Sequence, residues 1–235
     1  MGRAVARAMA ARGDAICLLG RDAAELERSV LDLKARGAVT ASSAHCDLDD
    51  PAGFAAALDQ ASRSLNGLDV IVVTAADFAT QTQLEADRDR LHHLLRVNFT
   101  NTILFCEAAR ERLLGGTASA PTLCVFSSVA GDRGRKPVVL YGAAKAGLSH
   151  YLEGLDHRFA AKGLRVVCVK PGFVRTSMTE GLPVPPFAGD PDIVAARVVA
   201  AIERGTPVVY APAIWALVMA VIRMLPRAIM RRVDF

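Results

Sequence analysis

The chain has no cysteine pair at metal-ligand or redox spacing. Its five cysteines, Cys17, Cys46, Cys106, Cys124 and Cys168, stand apart and are odd in number, and most sit inside apolar runs such as Ile16-Cys17-Leu18. This argues against a disulfide-stapled scaffold and predicts free, buried thiols in a reducing compartment. No apolar run is long enough to span a bilayer. The longest, 211–222, contains Pro212 and falls well short of the roughly 20 residues a spanning helix needs. The N-terminus lacks the apolar core of a signal peptide, so a cytoplasmic protein is expected. An excess of either charge sign is also missing from most of the chain. There are 28 Lys and Arg against 24 Asp and Glu, net +4, and three of those four charges fall in 223–235, where Arg223, Arg227, Arg231 and Arg232 face only Asp234. A nucleic-acid footprint spread over the fold is therefore not expected. No internal repeat or flexible linker divides the 235 residues, a length that suits one α/β domain. No metal site is expected.

What is present is alternation. Short β-rich apolar runs at 15–19, 39–46, 70–74, 123–127, 166–169 and 208–211 are separated by stretches with helical apolar spacing at 22–36, 51–64, 87–114, 141–162 and 191–204. Parallel strands need crossover connections, so this order predicts a doubly wound, Rossmann-type parallel sheet with helices on both faces. The segment Gly2-Arg3-Ala4-Val5-Ala6-Arg7 reads as the first helix of such a fold. In a dinucleotide-binding fold a strand and a Gly-rich turn feed this helix. The expectation is a single domain over 1–235 that lacks that strand and turn, with Gly2 as the turn's last glycine and 212–235 as an apolar and basic C-terminal extension.

Two segments carry chemistry. Phe126-Ser127-Ser128-Val129-Ala130-Gly131 closes a strand, and Tyr141-Gly142-Ala143-Ala144-Lys145 opens a helix. Tyr and Lys at i and i+4 lie on one helical face, one turn apart. Reducing a ketone requires a hydride from a cofactor and a proton for the developing alkoxide. A free phenol has a pKa near 10, and a lysine ammonium one turn away is expected to bring it toward the working range. With the serine thirteen residues before the tyrosine, and Pro171-Gly172-Phe173-Val174-Arg175-Thr176 after the next strand, the chain resembles the short-chain dehydrogenase/reductase family from Gly2 onward. The resemblance implies a homo-oligomeric reductase of a small-molecule carbonyl. Tyr141 would be its acid/base, Lys145 would also hold the nicotinamide ribose, and Ser128 would orient the carbonyl. Asn98 would hold a water that links Lys145 to solvent; by itself it reads equally as a mid-helix residue making a local backbone bond. Pro171, Gly172, Val174 and Thr176 would contact the nicotinamide carboxamide.

The second half of the cofactor is read from Leu18-Leu19-Gly20-Arg21-Asp22. An NAD enzyme usually places an acidic residue at the Gly20 position for the ribose 2′-hydroxyl. Glycine followed by Arg21 instead suits a 2′-phosphate, hence NADP(H) before NAD(H). Asp22 reads as a helix N-cap. Asp47 and Leu48 match the adenine contact, although an aspartate there also reads as a loop cap. The family's NNAG is replaced by Val73-Thr74-Ala75-Ala76. Ala75 still lets the backbone approach the cofactor, while the missing asparagine predicts the loss of a strand-stapling hydrogen bond.

The Pro- and Gly-rich stretch after Ser177 reads as a substrate lid or as a surface loop. The tail, an apolar helix, a proline break and a basic segment, reads as a membrane-surface element or as a core or dimer-interface helix. It resembles the tails of family members that reduce keto-sugars carried on polyprenyl phosphates. That would place the protein at the inner face of the plasma membrane with a lipid-linked substrate. The alternatives are a soluble carbonyl substrate or a cofactor-binding module without turnover.

Overall fold

The structure is a computed structural model that describes residues 1–233; Asp234 and Phe235, the end of the expected extension, lie outside the described residues. Helix α1 (Gly2–Ala10) leads into strand β1 (Ala15–Gly20), followed by α2 (Ala23–Ala35), β2 (Thr40–His45), α3 (Phe54–Leu65) and β3 (Val70–Val73). Two short helices, α4 (Gln81–Ala86) and α5 (Arg88–Leu95), precede α6 (Thr102–Gly115). The second half alternates β4 (Thr122–Phe126), α7 (Val139–Phe159), β5 (Arg165–Pro171), α8 (Pro191–Arg204) and β6 (Val208–Ala211), and ends in α9 (Ile214–Met224) and α10 (Arg227–Met230).

All strand pairs are parallel, as expected. They form two sheets rather than one: β1 pairs with β2, and β3, β4, β5 and β6 pair in that order. No ladder joins β1 to β3. A cavity of about 550 Å³ lies between them, lined along one side by residues 15–20 and along the other by residues 70–75. Each of these two strands is therefore bonded to a neighbour along one edge only.

Period-two alternation sends the strand side chains to opposite faces. Ile71, Val73, Leu123, Val125, Val166 and Cys168 pack with Phe54, Leu58, Phe105, Leu113, Leu148 and Leu152, so α3, α6 and α7 cover one face. Cys124, Phe126, Val167, Val169, Val209 and Ala211 pack with Ala4, Val5, Val194, Val198 and Ile202, so α1 and α8 cover the other. Strands buried on both faces are apolar throughout, which is why they were readable as continuous runs.

The expected single helix over 87–114 is broken. Asp87 ends α4 and caps α5, its carboxylate accepting from the Arg90 backbone N–H at 2.9 Å. A π-helical segment, Arg96–Asn101, then separates α5 from α6. Such wide turns re-aim side chains within a helix. Here the segment buries Asn98 and Asn101.

Candidate active site

The site lies at the carboxyl ends of β4 and β5, where the crossover helices begin. Ser128 leaves β4 in an extended conformation and its Oγ accepts from the Ala130 N–H at 3.1 Å, capping a short 3-10 turn, Val129–Gly131. That turn sits directly on α7. A Cβ on Gly131 would come within 2.7 Å of the Lys145 carbonyl, so only glycine permits the approach. Ser127 points the other way, bonding the Lys145 carbonyl at 3.0 Å and the Ser149 hydroxyl at 2.7 Å. The Ser-Ser pair thus divides its work: Ser127 pins α7, and Ser128 is left beside Tyr141.

Tyr141, in the first turn of α7, packs edge-on against Phe78 with ring centroids 5.2 Å apart. Burial pushes its phenol up to about 12, and the Ser128 hydroxyl pulls weakly the other way. Lys145 is 2% exposed; its Nζ donates to the Phe126 carbonyl at 3.1 Å and lies 5.9 Å from the Tyr141 ring centroid. Burial lowers its pKa from 10.5 to about 8. This corrects one expectation. The net shift of the phenol is upward, because desolvation outweighs what a nearby ammonium bonded to the end of β4 can offset. Tyr141 stands as a neutral proton donor at ordinary pH.

Asn98 spends its side chain on a backbone staple. Its Oδ1 accepts from the Asp77 N–H at 2.7 Å and its Nδ2 donates to the Asp77 carbonyl at 2.7 Å. The stapling of the loop after β3, expected to be lost with the family's asparagine, is supplied from the π-helical segment instead. Arg90 adds an ion pair to the Asp77 carboxylate at 2.8 Å. Asn101, which the sequence reading missed, donates to the Leu48 carbonyl at 2.6 Å, while Arg96 and His93 reach Asp49 at 2.7 and 3.2 Å. One wide turn therefore positions the loops after both β2 and β3.

The structure brings Gly2, Gly20, Arg21, Leu48 and Ala75 into the wall of the cavity between β1 and β3. Asp47 is not among its lining residues; its Oδ1 accepts from the Asp49 N–H at 3.0 Å, the loop-capping geometry. Asp22 caps α2, accepting from the Glu25 N–H at 2.9 Å, which leaves Arg21 exposed at the rim. One feature of this wall suits a dinucleotide. The N-terminus of α1 carries no side-chain cap, and a Cβ on Gly2 would crowd Thr74 Oγ1 at 2.6 Å, so bare backbone borders the cavity where a pyrophosphate would be met.

Pro171 ends β5, and the Gly172 N–H bonds the Ala211 carbonyl at 3.1 Å. Val174 is buried and pairs with Gly189, which clamps the base of the loop between them. Thr176 follows; its backbone N–H donates to Thr179 Oγ1 at 3.0 Å. The tail is no free extension. Met219 and Ile222 of α9 bury against Val129, beside Ser128, and the Trp215 indole fills the space over Gly172. A buried ion pair that the sequence did not reveal braces this corner. Asp132 takes Lys170 Nζ on one oxygen at 2.5 Å and the Tyr210 hydroxyl on the other at 2.7 Å, tying the turn after Ser128 to β5 and β6.

Comparison with known proteins decides the family. The short chain dehydrogenase family model matches residues 1–184. The chain is a short-chain dehydrogenase/reductase. An uncharacterised oxidoreductase of Mycobacterium tuberculosis is 32% identical to this short-chain dehydrogenase over 99% of the chain and 92% of its own length. Carbonyl reductase family member 4 of Xenopus tropicalis is 26% identical over 86% of each. Among solved structures, 3-oxoacyl-[acyl-carrier protein] reductase of Brucella melitensis, crystallised with NAD, superposes with a TM-score of 0.78 at 24% identity, over 89% of this chain and 90% of that one. This short-chain dehydrogenase is thus an oxidoreductase on a fold that binds NAD or NADP. Among the described residues, no helix is long and apolar enough to cross a membrane.

Proposed function

We propose that the protein reduces a ketone to a secondary alcohol with NADPH, and that the ketone is carried on a hydrophobic molecule. The convergence of Ser128, Tyr141 and Lys145 on one side of α7 carries the reading. Gly2, Leu48 and Ala75 would hold one end of a nicotinamide cofactor along the cavity wall, and such a cofactor would supply the hydride for the carbonyl carbon. Ser128 donates a hydrogen bond to the carbonyl oxygen, and Tyr141 transfers its phenolic proton to that oxygen as negative charge develops. Lys145 stabilises the phenolate left behind, and Asn98 holds the neighbouring loop and the water route by which the proton is restored. Pro171, Gly172, Val174 and Thr176 hold the nicotinamide end, while Gly2, Leu48, Ala75 and Asp47 hold or border the rest. The segment after Ser177 closes over the substrate as a lid.

The preference for NADPH rests on Arg21, exposed at the cavity rim and free of the capping Asp22. Arg21→Ala is expected to raise the KM for NADPH about ten-fold, the scale of one charge-assisted contact, and to leave NADH within two-fold. Equal changes would overturn the cofactor assignment. Failure of both cofactors to be oxidised across aliphatic and cyclic ketones would overturn the reductase reading.

The hydrophobic substrate is supported by α9. Its inner face walls the site, while Leu217, Val221 and Met224 on its outer face are 65%, 54% and 84% exposed. Such an apolar stripe beside Arg223, Arg227, Arg231 and Arg232 suits a peripheral contact with an anionic membrane. In its finest form the proposal is a keto-sugar on a polyprenyl phosphate, because the tail resembles that of decaprenylphosphoryl-2-keto-β-D-erythro-pentose reductase. Co-sedimentation with phosphatidylglycerol vesicles at low salt, reversed at about 0.5 M salt where charges are screened within a few ångströms, is the expected result. A protein that stays in the supernatant at low salt refutes the membrane contact.

A further inference from the structure

The loop that joins the Ser128 turn to the Tyr141 helix, residues 132–138, holds an arginine whose shielded Nε has no hydrogen-bond partner. It begins at Asp132, and the next acidic residue in the chain is Glu153. Both oxygens of Asp132 are already taken, one by Lys170 and the other by Tyr210. Arg133 is also engaged, donating to the Leu225 carbonyl at 2.9 Å and so fastening the loop to the end of α9. Arg135 is different. It is half-buried, its Nε is shielded from solvent and has no hydrogen-bond partner, and among the described residues no carboxylate pairs with it.

A guanidinium N–H removed from water without a partner is unfavourable by about 1–3 kcal/mol, so folded chains rarely retain one with nothing to offset the cost. Burial accordingly lowers the Arg135 pKa, with Asp132 opposing the shift. The loop is also held at both ends: its start is braced into β5 and β6 through Asp132, and its end runs through the 3-10 turn Lys136–Val138 into α7. Arg135 is thus held in place on the segment between the two residues that address the carbonyl.

We infer that Arg135 is the receptor for an oxyanion, a phosphate or a carboxylate, on the ketone substrate. The inference rests on the reductase reading of Ser128 and Tyr141 and adds the chemical class of what arrives there. A planar guanidinium offers two parallel donors to two oxygens of one anion, which fixes the orientation of the ketone as well as its affinity. The neutral remainder of the molecule is left to the apolar wall of α9.

Two matched ketone pairs test this: hydroxyacetone phosphate against hydroxyacetone, and levulinate against methyl levulinate. Binding is followed by calorimetry with NADPH present, so the result does not depend on turnover. At least one anionic ketone is expected to bind the native protein about ten-fold more tightly than its neutral twin, about 1.4 kcal/mol. Arg135→Gln is expected to remove that difference and to leave the neutral twin within two-fold. Which pair responds separates phosphate from carboxylate. Arg135→Lys, which keeps the charge and loses the fork, is expected to recover part of the preference. The melting temperature of Arg135→Gln is expected to hold or rise, since a shielded N–H without a partner has been removed; an arginine with a structural role predicts a fall. Equal affinities within both pairs in the native protein, or an undiminished preference in Arg135→Gln, overturns the inference. Either result leaves the assignment of Tyr141 standing, because that assignment is tested by turnover.

Discussion

Tyr141→Phe is expected to lower kcat for ketone reduction by about three orders of magnitude, within the 10²–10⁴ range that a positioned general acid contributes. The substitution removes one oxygen from a ring whose packing is set by Phe78 at 5.2 Å, so the helix and its neighbours are retained. Loss of the Ser128 contact lowers stability by about 1 kcal/mol, the net worth of one hydrogen bond. NADPH affinity, measured by fluorescence titration, is expected to stay within about three-fold, a change of less than 1 kcal/mol. The raised pKa of the phenol, about 12, gives the two directions of the reaction different pH profiles. Reduction needs the neutral phenol, which is present throughout the accessible range, so Tyr141 adds no slope there. Alcohol oxidation needs the phenolate, whose fraction grows ten-fold per pH unit below the pKa, so its rate should climb from pH 7 and flatten above about pH 8, where Lys145 loses its proton. Activity of Tyr141→Phe within ten-fold of the native protein would sink the assignment.

The parts of this site that the sequence displayed share a physical reason. Strands buried on both faces must be apolar, and a one-turn Tyr–Lys spacing survives any detail of packing, so β3 to β6 and the proposed catalytic residues could be read directly. The missing parts depend on tertiary contacts that leave no periodic trace. Arg96–Asn101 contains the apolar and polar residues of an ordinary helix, and nothing in its composition signals the wide turn that buries Asn98 and Asn101 together. Asp132, Lys170 and Tyr210 lie 78 residues apart at their extremes and meet only because β5 and β6 are adjacent. The direction of the Tyr141 shift was misjudged for the same reason. Spacing along the helix set the distance to Lys145, but the hydrogen bond to the Phe126 carbonyl decided where the ammonium points. The tail was legible as an apolar helix, a proline break and a basic segment; that the inner face of the helix completes the wall beside Ser128 was not.

Lys145→Met is expected to move activity and stability in opposite directions. A buried ammonium is the more costly form, and the folded-state pKa of about 8 against the usual 10.5 states that cost. Below pH 8 the folded protein carries a charge that the unfolded chain holds more easily, a penalty of about 3 kcal/mol. As pH rises from about 8 to about 10.5 the folded state loses the proton first, the unfolded state still binds it, and the penalty fades. Native stability should therefore gain a rising component across that window, and Lys145→Met should lack it. Methionine fills nearly the same volume without charge, but leaves the Phe126 carbonyl without its donor, a loss of about 1 kcal/mol. The net expectation at pH 7 is a gain of about 2 kcal/mol, or a melting temperature higher by about 4–8 °C for a chain of this size. Turnover should fall by about 10³, because the charge that stabilises the Tyr141 phenolate is gone. The native reduction rate should itself decline above pH 8 as the same ammonium is lost. A Lys145→Met protein that is less stable at pH 7, or whose stability keeps the native pH slope, would show that burial is not what governs this lysine. A stable variant that still turns over would remove Lys145 from the mechanism.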